Sequence, residues 1–170
     1  MFRKLLGASV LVLSVIGFTA PEAAQAAPKA GDYCVVHVTG HKASGEMTTS
    51  APRCYDSLEG SMRAEGVKAY GENAQARAAQ LGVTSFVIGL HCDGYNLGAP
   101  CTSVVGDSCI GGWLNVSAAW NNRISSTQHG CPTIYHFDGA NLTGSFLATR
   151  APGPNNLLLF NNRTTSIQYT

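Results

Sequence analysis

Two short segments of this chain carry the same oxygen-rich pattern. Asn121-Asn122-Arg123-Ile124-Ser125-Ser126 recurs as Asn161-Asn162-Arg163-Thr164-Thr165-Ser166 at an offset of 40 residues. Upstream of each lies a second landmark: His91-Cys92-Asp93-Gly94-Tyr95-Asn96-Leu97 recurs as His136-Phe137-Asp138-Gly139-Ala140-Asn141-Leu142, with five of seven positions agreeing at an offset of 45. Calcium is a hard cation that takes about 6–8 oxygen ligands, and amide, hydroxyl and turn carbonyl oxygens of this kind supply them. The same residue types also build plain turns, in which Asn side chains hydrogen-bond the backbone. Both readings stand on the sequence. Catalysis finds little support. A hydrolytic carboxylate pair needs two different environments, whereas Asp93 and Asp138 are equivalent positions of a repeat. No G-x-S-x-G, H-E-x-x-H or phosphate-cradling glycine loop occurs. His91 and His136 also match in the repeat, which suggests packing. The chain reads as a non-enzyme.

Elements must bring these landmarks together. They keep their order, and the first copy holds five extra residues around Asp107 to Leu114, so the second half of the chain is an internal duplication. Short β-prone runs at Phe86-Val87-Ile88, Thr102 to Val105, Thr133-Ile134-Tyr135 and Leu157 to Phe160 are punctuated by Gly, Pro and Asn. That spacing predicts a sandwich of Greek keys over about 86–170, with repeats at about 86–130 and 131–170. The Asp-Gly pairs at 93–94 and 138–139 predict tight turns with positive φ at the glycine. Residues 27–85 differ. Tyr33 to Val38 reads as a strand, and Glu72 to Leu81 as an Ala-rich helix ended by Gly82. The expectation is a small α+β segment packed beside the main domain. The alternative is a pro-segment or partner-binding arm.

The 170 residues begin with a basic Phe2-Arg3-Lys4, an apolar run from Leu5 to Ala20, and Ala24-Gln25-Ala26. This layout predicts a signal peptide over 1–26, cleaved after Ala26, and a secreted, extracellular protein without membrane insertion. Removing Arg3, Lys4 and Glu22 turns 11 basic and 10 acidic residues into nine of each, so the mature net charge is zero. That excludes recognition of nucleic acid or anionic lipid driven by a basic field. Six cysteines remain: Cys34, Cys54, Cys92, Cys101, Cys109 and Cys131. An even number in an exported chain predicts disulfides, with 15 possible connectivities. Local pairs are favoured here: Cys34 with Cys54, Cys92 with Cys101, Cys109 with Cys131.

The duplicated half resembles the βγ-crystallins, especially their microbial calcium-binding members. One carrier is the hairpin signature of an aromatic, four residues, an aromatic, one residue and Gly. Phe137-x4-Leu142-x-Gly144 follows it with Leu for the second aromatic. In the first copy Cys92 replaces the aromatic and Gly98 falls one residue early. The other carrier is the calcium motif N/D-N/D-x-x-S/T-S, met at all four defined positions by 121–126 and 161–166, with Trp120 and Phe160 as apolar anchors before them. The likeness covers about half of the chain and does not reach residues 27–85.

The resemblance implies a double Greek-key domain with calcium held between its two halves. It implies the Arg123 carbonyl with Ser125 Oγ at one site, and the Arg163 carbonyl with Thr165 Oγ at the other. Asn122 and Asn162 would donate across the pair, and Asp93 and Asp138 through their main chains. Asn in place of Asp lowers the ligand charge, so dissociation constants on the order of 10⁻⁵ to 10⁻³ M are expected. The implied role is a secreted structural or stress-protective protein. The same fold also occurs in secreted bacterial metalloproteinase inhibitors and killer-toxin-like antifungal proteins. That alternative implies an extracellular protease or a cell-wall component as partner, with 106–112 and 150–156 as the exposed loops.

Overall fold

The structure, a computed structural model, describes residues 31–110 and 112–170. The expected signal segment and its cleavage site lie outside them. Among the described residues there are eleven strands and two α-helices, so the protein is mainly β. The first strand, β1 (Tyr33–His41), is followed by two short ones, β2 (Met47–Thr49) and β3 (Arg53–Tyr55). Helix α1 (Leu58–Ala64) starts at Ser57, whose side chain accepts from the Gly60 N–H, a standard N-cap contact. Helix α2 (Ala74–Leu81) buries only Ala74 and Ala78, one turn apart, and ends where Gly82 takes the left-handed conformation.

The repeats supply the other eight strands. The first contains β4 (Phe86–Cys92), β5 (Cys101–Gly106), β6 (Gly112–Asn115) and β7 (Ser126–His129). The second contains β8 (Thr133–Phe137), β9 (Phe146–Arg150), β10 (Pro154–Asn156) and β11 (Ser166–Tyr169). One sheet runs β10-β7-β4-β5-β1-β2, with β3 paired to β1; the other runs β6-β11-β8-β9. Each repeat therefore keeps three strands in its own sheet and lends its third strand to the other. Ile88 and Val104 from one sheet meet Ile134, Ile167 and Tyr169 from the other in the main core.

The N-terminal segment extends this architecture. Strand β1 pairs parallel with β5 over five residues, Tyr33 to His37 against Cys101 to Val105. Helix α1 and the turn after it then cover the outer face of that sheet, placing Met62 and Val67 against Val87, Leu90, Val105 and the Cys92–Cys101 pair. The sulfurs join Cys34 to Cys54, Cys92 to Cys101 and Cys109 to Cys131, the local set favoured above. No disulfide links the N-terminal segment to the repeats. Parallel hydrogen bonding and apolar packing hold it there.

Two local expectations are overturned. Leu157 to Phe160 is not a strand: Leu158–Phe160 forms one turn of 3-10 helix. Leu157 and Phe160 are buried while Leu158 and Leu159 are 71% and 94% exposed, a period of three rather than the two of a strand. Gly94 and Gly139 have φ of −86° and −110°, so positive φ does not explain them. Close approach does. A Cβ on Gly94 would stand 2.8 Å from the Gly98 backbone, and one on Gly139 2.3 Å from Thr143 Oγ1. The left-handed positions are instead Asn96 and Leu97, and their counterparts Asn141 and Leu142.

The hairpins differ in one matched place. Cys92 pairs with Cys101 in register, as Phe137 pairs with Phe146, whose rings lie 5.5 Å apart. The disulfide thus stands where the second repeat has an aromatic pair. Met62 of helix α1 packs against that cystine in a buried cluster, whereas Phe146 is exposed.

Candidate functional site

The exchange of third strands sets the geometry of the motif turns. The turn at 121–126 leaves β6 in one sheet and enters β7 in the other. The turn ending at 166 leaves β10 and enters β11, crossing in the opposite sense. The two segments consequently lie side by side. The Asn122 N–H donates to the Thr164 carbonyl and the Asn162 N–H to the Ile124 carbonyl, both at 3.0 Å. Both asparagines are left-handed, with φ of 57° and 56°. Asn accepts that conformation more readily than most residues, so each turn can aim its amide at the other.

Side-chain oxygens meet in two crossed pairs. Ser125 Oγ donates to Asn162 Oδ1 at 3.2 Å, and Thr165 Oγ1 to Asn122 Oδ1 at 3.4 Å. Two oxygens each about 2.4 Å from one calcium, at right angles, would stand roughly 3.4 Å apart, so the spacing fits neighbouring ligands. The structure brings Ser125 and Thr165 to the asparagines of the opposite repeat. Asn161 Oδ1, next to this cradle, is buried without a hydrogen-bond partner. Among the described residues no group of three or more His, Cys, Asp or Glu is placed to hold a metal. The cradle is built from other donors.

The acidic residues have a role the sequence did not disclose. Arg123 donates to Asp93 Oδ2 at 2.6 and 3.2 Å, and Arg163 to Asp138 Oδ2 at 2.6 Å. Each guanidinium also lies over the preceding aromatic: Arg123 is 5.6 Å from the Trp120 ring centre and Arg163 is 5.0 Å from that of Phe160. The anchors are therefore stacking partners as well. These ion pairs tie each hairpin to its own motif turn. They also neutralise the nearby carboxylates, so neither adds net negative charge for a cation.

The second serine of each motif holds the hairpin. Ser126 Oγ donates to the Gly94 carbonyl at 2.6 Å and accepts from the Leu97 N–H at 3.0 Å; Ser166 Oγ does the same with Gly139 and Leu142. Asn96 and Asn156 exchange two hydrogen bonds, as do Asn141 and Asn115. Asn96 and Asn141 were visible as repeat matches, but their partners on the lent third strands carried no such mark.

The two loops named as exposed shrink in the structure. Gly106 ends β5 and Gly112 opens β6, both buried, leaving 107–110 with Ile110 at 85% exposure. In the other, Arg150 ends β9 and Pro154–Asn156 is β10, so only 151–153 is a connection. No helix among the described residues is long and apolar enough to cross a membrane. Three disulfides are compatible with an oxidising, extracellular setting. No family model, no curated protein and no solved structure matches this chain.

Proposed function

We propose that this chain is a secreted, calcium-binding protein with a double Greek-key domain of the βγ-crystallin kind, serving a structural, stress-protective or extracellular binding role. The crossed oxygen pairs carry the reading: Asn162 with Ser125, and Asn122 with Thr165. The mutual loan of third strands between the sheets supports the Greek-key assignment. The Arg123 and Arg163 carbonyls, Ser125 Oγ, Thr165 Oγ1 and the two Asn amides would hold the ion, with Asp93 and Asp138 contributing main-chain oxygens. Calcium would supply a cross-link between the repeats. At free calcium ten times the dissociation constant, one site stabilises by about 1.4 kcal/mol. The role is binding rather than catalysis, since both hairpin carboxylates are engaged by arginines.

Calorimetric titration of the oxidised protein with calcium tests this. Two weak sites are expected in the wild type, with both lost in an Asn122→Ala plus Asn162→Ala variant. A wild type that takes up no calcium and gains no melting temperature from it would reduce the turns to architecture.

One observation favours a second reading, a peptidase inhibitor. Ile110 projects from a short loop whose Cys109 is tied to Cys131, and a constrained loop presents a side chain at low entropic cost. Incubation with secreted metalloproteases should then show inhibition that Ile110→Asp weakens by about tenfold or more. Full protease activity at saturating protein would sink it.

A further inference from the structure

The two sheets are unequal, and the inequality leaves a cavity. Seven strands face four, so only β6, the edge of the smaller sheet, lies opposite β1 and β2, with Met47 of β2 against Gly112. The gap they overhang is about 360 Å³, within the roughly 300–1,000 Å³ range of small-molecule sites. Val36 and the Cys34–Cys54 disulfide form one wall, Leu114 and Val116 the other, and Trp120 closes one side. By liquid volume it would hold about twelve waters at roughly 30 Å³ each.

The lining defines the ligand class. His91 reaches the cavity, yet both ring nitrogens are engaged, with Tyr169 Oη at 2.9 Å and Thr127 Oγ1 at 3.0 Å. Glu46, at the rim, is paired with Lys42 at 2.7 Å. None of the buried polar atoms without a partner belongs to the lining. No orphaned group therefore selects for a charged or strongly polar molecule. What the site offers is aliphatic surface, a cystine and one indole, with Thr49, Pro52, Ser117 and Ala119 exposed around it. We propose that this cavity binds one small, uncharged, ring-containing apolar molecule, seated between β1 and the 114–120 segment against Trp120. The site borders the first motif turn through Trp120 and Ile124, and the proposed ligand makes no use of calcium.

N-phenyl-1-naphthylamine is the probe, titrated into the oxidised protein in the presence of a calcium chelator. Saturable one-to-one binding is expected, with energy transfer from tryptophan to the probe. Val36→Phe and Val116→Phe fill the cavity from opposite walls, and each should weaken binding by about tenfold or more. Phe146→Ser, on the far face of the other sheet, should leave it unchanged. In two-dimensional NMR of the wild type, the probe should shift the Trp120 indole resonance and leave that of Trp113 unmoved. Absence of saturable binding overturns the proposal, as does a shift confined to Trp113. Binding lost in Phe146→Ser but retained in both filled variants would assign the probe to the exposed aromatic face instead. The NMR arm decides the matter even if a filled variant fails to fold.

Discussion

Acidification should unfold this protein steeply, beginning just below neutrality. His91, His129 and His136 are all buried between the sheets, at 1% exposure or less. Burial pushes His91 down to about 3, helped by the nearby His129, and His129 down to about 4. His136 is pushed well below its usual value by burial and by the two other imidazoles. Each ring is neutral in the folded chain and charges near pH 6.5 once unfolded, so unfolding takes up protons below that pH. Stability is then flat above about pH 6.5 and falls as pH drops, until the folded values of about 4 for His129 and about 3 for His91 are passed. The limiting slope is about 1.4 kcal/mol per pH unit for each histidine, roughly 4 for all three. Against a typical total of about 5–15 kcal/mol, that places acid unfolding between about pH 5 and about pH 3.

Glu65 adds to the loss at the lower end. Burial raises its carboxyl, but hydrogen bonds from Arg53, Tyr55 and His37 outweigh this and hold it below the ordinary range. Its stabilisation is also lost as pH falls. Circular dichroism from pH 8 to 3 checks the profile, with His136→Phe beside the wild type. His136 Nε2 has no hydrogen-bond partner, so that variant removes one titrating group and one orphaned atom together. Its transition should be shallower and shifted to lower pH. A melting temperature constant between pH 7 and 5 would contradict the scheme.

What the sequence disclosed followed local rules. The helix at 74–81 was legible because alanines and a glycine stop are local signals. The turn motifs were legible because an Asn pair and a following Ser/Thr pair recur in register. The parallel pairing of β1 with β5 was not, since 68 residues separate the partners and parallel register leaves no turn signature. The stretch at 157–160 was misread because four apolar residues fit either a strand or a helical turn, and only burial at a spacing of three decides. Arg123 and Arg163 were singled out for their carbonyls, and their side chains went unread. Pairing with Asp93 and Asp138 needs the hairpin and the motif turn to meet, which is set by strand exchange rather than by spacing. The cavity was illegible for the same reason, because it arises from unequal sheets.

Reduction should cost this protein most of its stability. Chain-entropy estimates give about 3 kcal/mol for each of the three cystines, roughly 9 together, comparable to the whole folding free energy of an ordinary domain. The three will not be equivalent. Cys109–Cys131 joins the 107–110 loop to the connection between the two repeats, and both sulfurs sit in the main core. Replacing that pair by alanine removes the entropic constraint and buried volume together, so it should lower the melting temperature most. Cys92–Cys101 closes only nine residues and is backed by an antiparallel hairpin with its own hydrogen bonds, so the entropic loss is smaller. Cys34–Cys54 staples β1 to β3, and its loss should loosen the N-terminal segment before the repeats. Differential scanning calorimetry of the three double-alanine variants checks the order. At about 3 °C per kcal/mol, each should melt roughly 10 °C below wild type, and the Cys109/Cys131 variant further still. Unchanged melting after full reduction would show that the sheets and their shared core hold the fold without help from the cystines.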